Sequence, residues 1–154
     1  MTNTEQEVSL RKAVPGDVEA IAALTDAAYS KYIALIGRKP QPMSADYARM
    51  VAENAIWLLF AGEQLAGVLV LVFEAEELLI YSVAINPEFQ HQGLGRRLMA
   101  WAESQAAQEG YTSIRLYTNE LFVDNIRLYK RLGYQETGRE AYLNSTLVHM
   151  KKKL

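Results

Sequence analysis

The stretch Gln90-His91-Gln92-Gly93-Leu94-Gly95-Arg96-Arg97 stands where an apolar run, Leu78 to Ile85, gives way to the longest helical pattern in the chain. A helix N-terminus offers unpaired backbone N–H groups and a partial positive charge. Gly93 and Gly95 carry no Cβ, so the backbone there can close around an anion, and Arg96 and Arg97 add charge beside it. The segment therefore suits a phosphate or pyrophosphate. It is not a Walker A loop, because no Gly-Lys-Ser/Thr exists. It is not the three-glycine dinucleotide fingerprint either, because position 98 is Leu98. Taken alone, a Gly-x-Gly pair more often marks a helix start with no ligand, but the whole segment is more specific than that pair.

Working outward, Val8 to Ala13 reads as a strand, and Val14-Pro15-Gly16-Asp17 as a turn ending on an N-cap. Val18, Ile21, Ala22, Thr25, Ala28 and Tyr29 follow helical spacing. Ile36 to Met43, with Gly37, Pro40 and Pro42, is a breaker-rich loop, after which Ser44 is placed to cap a helix carrying Tyr47, Met50 and Val51. Ile56 to Ala61, Leu65 to Phe73 and Leu78 to Ile85 are apolar on both faces, as central strands covered by helices are. Short links make these three an antiparallel block. Gly93 to Glu109 is a helix with Leu94, Leu98, Trp101, Ala102 and Gln105 inward, and Ser113 to Tyr117 is the strand after it. That strand–helix–strand unit requires a parallel pair with a crossover. A short helix over 125–132 and strands near 134–139 and 146–151 complete the pattern. The fold class is α/β (mixed α+β): a central mixed, mostly antiparallel sheet of about seven strands with helices on both faces.

The 154 residues are 50% hydrophobic and 22% charged, with 16 Lys plus Arg against 18 Asp plus Glu. That length and composition predict one globular domain over residues 8–154 behind a frayed, polar segment at 1–7. A net charge of -2 excludes a strongly basic nucleic-acid coat and gives no reason to expect membrane association. With no cysteine, a covalent cysteine-acyl mechanism is excluded and a disulfide framework is absent. The two histidines, His91 and His149, leave a His-based zinc site short of ligands, so no metal is expected. The first residues lack the charge and apolar core of a signal peptide, and no stretch is apolar for 18 residues. The expected location is the cytoplasm.

Asn86 to Leu98 resembles the acyl-CoA loop of the GNAT N-acetyltransferase superfamily, whose Arg/Gln-x-x-Gly-x-Gly/Ala pattern is met by Gln90, Gly93 and Gly95. Val83-Ala84-Ile85-Asn86-Pro87-Glu88 is similar to the strand end before that loop. Leu116, Asn119-Glu120, and Asn125-Ile126-Arg127-Leu128-Tyr129 through Gly133-Tyr134 are similar to the next strand, helix and closing Gly-aromatic. Val14 to Asp17 and the terminal segment 148–154 also fit, so the resemblance covers nearly the whole chain.

The resemblance implies transfer of an acetyl group from acetyl-CoA to an amine, by direct attack in a ternary complex. The N–H groups of His91, Gln92, Gly93, Leu94, Gly95 and Arg96, with Gln90, would hold the pyrophosphate. Pantetheine would run beside Tyr81 to Ile85, with an N–H near Val83, Ala84 or Ile85 facing the thioester oxygen. Tyr129 stands where the family keeps its general acid, although its periodicity alone reads as a core aromatic between Ile126 and Leu132. Asn125, one turn earlier, is a cofactor contact or a helix N-cap. Many relatives have a glutamate base at the position of Tyr81. Here no base is assigned, and Glu76 and Glu77 read as a solvated hairpin. Tyr29, Tyr32, Arg38 and Tyr81 are the substrate-site candidates, suited to an anionic or aromatic acceptor, with a solvated loop and packing tyrosines as the equal alternative. The acceptor is a small amine or a protein amine. A homodimer is compatible but has no residue-level support. The rival functional class is a non-catalytic acyl-CoA sensor, which the missing carboxylate at Tyr81 favours. A toxin acting on aminoacyl-tRNA is weakened by the net charge.

Overall fold

Two apolar faces on the same strands require cover on both sides, and the computed structural model, which describes residues 7–154, supplies it. Seven strands among the described residues form one sheet in the order β1-β2-β3-β4-β5-β7-β6. They are β1 (Val8–Lys12), β2 (Ile56–Ala61), β3 (Gln64–Phe73), β4 (Leu78–Ile85), β5 (Ser113–Asn119), β6 (Gln135–Tyr142) and β7 (Ser145–Lys153). The helices are α1 (Val18–Tyr29), α2 (Lys31–Ile36), α3 (Tyr47–Ala52), α4 (Leu94–Gln108) and α5 (Val123–Arg131). The mixed, mostly antiparallel sheet matches the expectation: only β4 and β5 pair in parallel, across the α4 crossover.

Period-two alternation sends neighbouring residues to opposite layers. Leu59, Leu69 and Leu71 pack on one face with Leu98, Met99 and Ala102 of α4. Leu58, Val68 and Val70 pack on the other with Ile21 and Leu24 of α1 and Met50 of α3. Each such fully buried side chain is worth roughly 1.5–3 kcal/mol relative to exposure.

Several local expectations are corrected. Asp17 does not cap α1: its carboxylate turns back to accept from Val14 N–H at 2.8 Å and from Arg11 at 2.8 and 3.1 Å. Competition from a nearby guanidinium and N–H removed the cap. Asp46, not Ser44, caps α3 by accepting from Arg49 N–H. The chain also turns helical again after Tyr29, making the extra short helix α2, which ends at Gly37 in the left-handed region. On α4 the fully buried positions are Leu94, Leu98, Met99, Ala102 and Ala106, while Trp101 and Gln105 are half-buried. The expected fraying at 1–7 lies outside the described residues except for Glu7, whose carbonyl accepts from Gly62 N–H at 2.8 Å and so continues the sheet edge.

The feature that positions the site is a parting of two strands. β4 and β5 pair only at Leu78–Ile114, Leu79–Arg115 and Ile80–Leu116. Beyond Ile80 the register of β4 with β3 also slips: Ile80 faces Leu71 and Ser82 faces Val70, so Tyr81 is the extra residue of a bulge. A bulge bends and twists its strand, and here it turns the second half of β4 away from β5. At the closed end Glu77 binds Ser113 Oγ (3.1 Å) and Lys151 Nζ (2.9 Å), and Glu74 forks onto Arg115 at 2.8 and 2.9 Å. Glu77 is therefore a cross-strand tie and not the solvated residue the sequence suggested.

Candidate active site

The parted strands open onto two connected spaces. A cleft of about 540 Å³ lies between the end of β4, the loop into α4, and α5. A smaller chamber of about 80 Å³ lies on the other side of the β4–β5 gap, under the segment after α2. Tyr29, Val83, Asn125 and Tyr129 line both.

The cleft's inner wall is a string of free backbone donors. After Gln90 N–H donates to Pro87 carbonyl, the next backbone N–H with a recorded partner is Arg97, onto Gly93 carbonyl at 3.2 Å. The six N–H groups from His91 to Arg96 have no backbone partner among the described residues. Their convergence is set by two left-handed residues, His91 (φ 65) and Gly93 (φ 78). Glycine adopts that conformation freely, whereas a non-glycine residue there is uncommon and marks a constrained turn. A ligand phosphate is the group such a nest of N–H dipoles fits. Gln90, His91, Gly93, Leu94, Gly95 and Arg96 line the cleft. So do Val83, Ala84, Ile85 and Asn125, whereas Gln92 is exposed and its side chain does not line it.

The edge of β4 contributes further donors. Asn86 N–H donates to Ala66 carbonyl, and in an antiparallel ladder such bonds recur at alternate residues. Ser82 and Ala84 are thereby committed to β3, while the backbone groups of Val83 and Ile85 face the gap. Tyr29 hydroxyl donates to Val83 carbonyl at 3.3 Å, and lies 3.3 Å from Ser82 Oγ.

Tyr129 stands at the junction. Its ring packs on the core and meets Tyr134 edge-on at 6.3 Å, so the core-aromatic reading describes its ring. Its hydroxyl is a separate matter. Burial, with Tyr29 and Tyr32 nearby, drives its pKa well above the ordinary tyrosine value, and no hydrogen bond contributes to the shift. Asn125 is not the helix cap: that position is Phe122, and Asn125 sits inside the first turn of α5, one turn before Tyr129.

The chamber is aromatic. Tyr81, Tyr117, Phe122 and Tyr142 form much of its wall, with Tyr29 and Tyr129 at its mouth. Its roof is pinned by Tyr117 hydroxyl donating to Gln41 Oε1 at 3.2 Å and by Tyr47 hydroxyl donating to Pro42 carbonyl. Of the four substrate candidates, Tyr29, Arg38 and Tyr81 line it. Tyr32 does not: it stacks on Phe122 at 4.0 Å and faces the cleft. Tyr81, raised to about 12 by burial and neighbouring tyrosines, stays protonated at neutral pH. Tyr117 and Tyr142 come from strands late in the chain and escape any local reading. Lys31, Arg127 and Arg131 stand at the cleft rim, and residue type alone does not single them out.

The sheet is thus parted at its one parallel seam, over a helix start with free donors. The acetyltransferase (GNAT) family profile matches residues 21–134, and the chain belongs to that family. Over 96% of its length it superposes on the PaiA N-acetyltransferase from Thermoplasma acidophilum, solved in complex with coenzyme A. The TM-score is 0.81, with 99% of that chain covered at 17% identity. The ribosomal-protein-S18-alanine N-acetyltransferase from Escherichia coli superposes with a TM-score of 0.75 at 16% identity, over 96% of this chain and 94% of that one. In sequence that enzyme is 31% identical over 72 residues, which are 46% of this chain and 49% of its own length. N-acetyltransferase 8B of Rattus norvegicus is 25% identical over 92 residues, 56% of this chain and 41% of its own. The chain thus spans less than half the length of these curated relatives. No helix among the described residues is long and apolar enough to cross a membrane.

Proposed function

We propose that the chain transfers the acetyl group of acetyl-CoA to a primary amine, the donor entering through the cleft and the acceptor through the chamber. The observation that carries this reading is the row of six unpartnered N–H groups from His91 to Arg96, in a cleft that meets a separate chamber at Tyr129. The loop donors hold the pyrophosphate, with Gln90 beside them, and Lys31, Arg127 and Arg131 sit at the rim for the remaining phosphate charge. Pantetheine amides pair with the gap-facing groups of Val83 and Ile85 and with Asn125.

The amine nitrogen attacks the thioester carbonyl carbon. A gap-facing N–H of Val83 or Ile85 takes the developing oxyanion. The C–S bond then breaks, and the sulfur leaves with the electron pair and takes a proton from Tyr129. The surplus proton of the amine passes to water, and solvent restores the tyrosine. The raised pKa of Tyr129 keeps its proton on at neutral pH, available to the leaving sulfur. The chamber wall offers no carboxylate or histidine as base, so the acceptor reacts as its free amine.

A non-catalytic sensor is favoured by one observation only, the protonated Tyr81 in place of a carboxylate. An amine-library screen that follows free CoA thiol, run beside an acetyl-CoA thermal-shift titration, separates the readings. Binding with amine-dependent thiol release is the expected result. Binding without release from any amine would favour the sensor.

A further inference from the structure

Among the described residues Arg38 is the only charged side chain on the chamber wall. No carboxylate lies within ion-pair distance of it among the described residues. Its guanidinium rests over the Tyr142 ring, 5.4 Å from the centroid, and its Nη1 reaches only the Lys39 carbonyl at 3.5 Å. Its Nε is buried with no hydrogen-bond partner. Arg11, Arg115 and Arg139 by contrast each hold a carboxylate at 2.8 Å. A buried guanidinium donor left unpaired is costly unless a partner arrives with the ligand. The planar fork of arginine is complementary to a carboxylate, which can accept two parallel N–H bonds.

We infer that the acceptor is an α-amino acid, whose free carboxylate is taken by Arg38 while its amine faces the junction at Tyr129. This rests on the acetyltransferase reading above. Two features of the chamber narrow the class. Its aromatic wall of Tyr81, Tyr117, Phe122 and Tyr142 suits an apolar or aromatic side chain. The lack of any acidic residue on that wall disfavours a polyamine, whose second cation would meet Arg38 and no counter-charge.

The test compares L-alanine, L-methionine, L-phenylalanine and L-tyrosine with their carboxamides, in the full chain, by acetyl-CoA-dependent thiol release. At least one free acid should exceed its amide in kcat/KM by about 10–100-fold, the weight of a hydrogen bond to a charged group. Arg38→Ala should lower the free-acid value by a similar factor and the amide value by much less, so that the preference collapses toward one. Arg38→Lys, which keeps the charge and loses the fork, should fall between. Equal use of acid and amide by the unmodified protein overturns the inference. So does an Arg38→Ala variant that loses acid and amide alike, or a panel with no accepted acid when acetyl-CoA gives its normal thermal shift. Absence of that shift would instead overturn the acetyltransferase reading, and this inference with it.

Discussion

The cleft beside α4 and the chamber across the gap share Tyr129 but are made of different material. The cleft's binding groups are backbone: N–H donors from His91 to Arg96 and the gap-facing edge of Val83 and Ile85. The chamber's are side chains drawn from the segment after α2, from β4, β5 and β6, and from α5. A backbone site depends on where a helix starts and where glycine allows a left-handed turn, and accepts many sequences. A side-chain site changes with every substitution. In the proposed reaction the donor half therefore depends on the fold, and the acceptor half on side chains particular to this chain.

The sharpest way to break the comparison is at Gly95, where an added Cβ would meet nothing within 4 Å and φ is not left-handed. Gly95→Leu should therefore fold normally, and replacing glycine inside a helix should raise stability slightly. The new side chain would project into the cleft. Acetyl-CoA at about a hundredfold over its dissociation constant adds roughly 2.7 kcal/mol to the unmodified protein, a melting shift on the order of 5–10 °C. We expect Gly95→Leu to lose that shift at the same concentration. A retained shift would mean that the donor does not lie on this loop.

Next in size is Tyr129→Phe, which tests the junction. It keeps the ring against the core and Tyr134 and removes only the proton donor. Turnover should fall by roughly a hundredfold, about 2.7 kcal/mol of barrier, within the usual range for a general acid. The acetyl-CoA thermal shift should be unchanged. Full turnover in the variant would reduce Tyr129 to packing.

These two positions also mark what the sequence makes legible. Gly93, Gly95 and the apolar run before them are local signals, so the loop, the crossover and the parallel pair follow from a short window. The seven strands follow from short, mostly apolar runs and the turn residues between them. The chamber does not follow from any window, because Tyr117 and Tyr142 reach Arg38 and Tyr81 only after the β5-β7-β6 order is set, which no local pattern encodes. Tyr32 lies apart from the other three candidates for a related reason: the short helix α2 turns it onto Phe122 and the cleft. Asp17 and Asn125 looked like caps because cap preference is a residue-type rule; Arg11 draws off the Asp17 carboxylate, and α5 starts at Val123, two residues before Asn125.

A smaller effect is expected on the chamber alone. Tyr142 supplies the face on which Arg38 rests, a contact worth about 0.5–2 kcal/mol depending on its desolvation. Tyr142→Ala should raise the acceptor's KM by roughly 2–30-fold and leave that of acetyl-CoA near its original value. Equal effects on both constants would mean that the two compartments are not independent.

The smallest effect belongs to the closed end of the seam, which serves both compartments and binds neither ligand. Glu77 ties β4 to β5 through Ser113 and to β7 through Lys151, and those hydrogen bonds hold its carboxyl below the ordinary value of 4.5 despite partial burial. A carboxylate lowered on folding adds stability that is fully present above its unfolded pKa and lost as pH falls through the folded one. With Lys151 41% exposed, solvent screening keeps the ion pair to about 0–1 kcal/mol. Glu77→Gln should therefore lower the melting temperature by a few degrees at neutral pH, and the gap between the two proteins should close as the pH drops into the acid range. Because the tie lies outside both spaces, any loosening of the wedge should affect the KM for acetyl-CoA and for the acceptor by similar small factors. Urea melts at neutral and acid pH, with both constants measured at neutral pH, test this directly. A stability gap that persists in acid would show that Glu77 acts through packing. A change confined to one constant would show that the closed end belongs to one compartment and is not their common hinge.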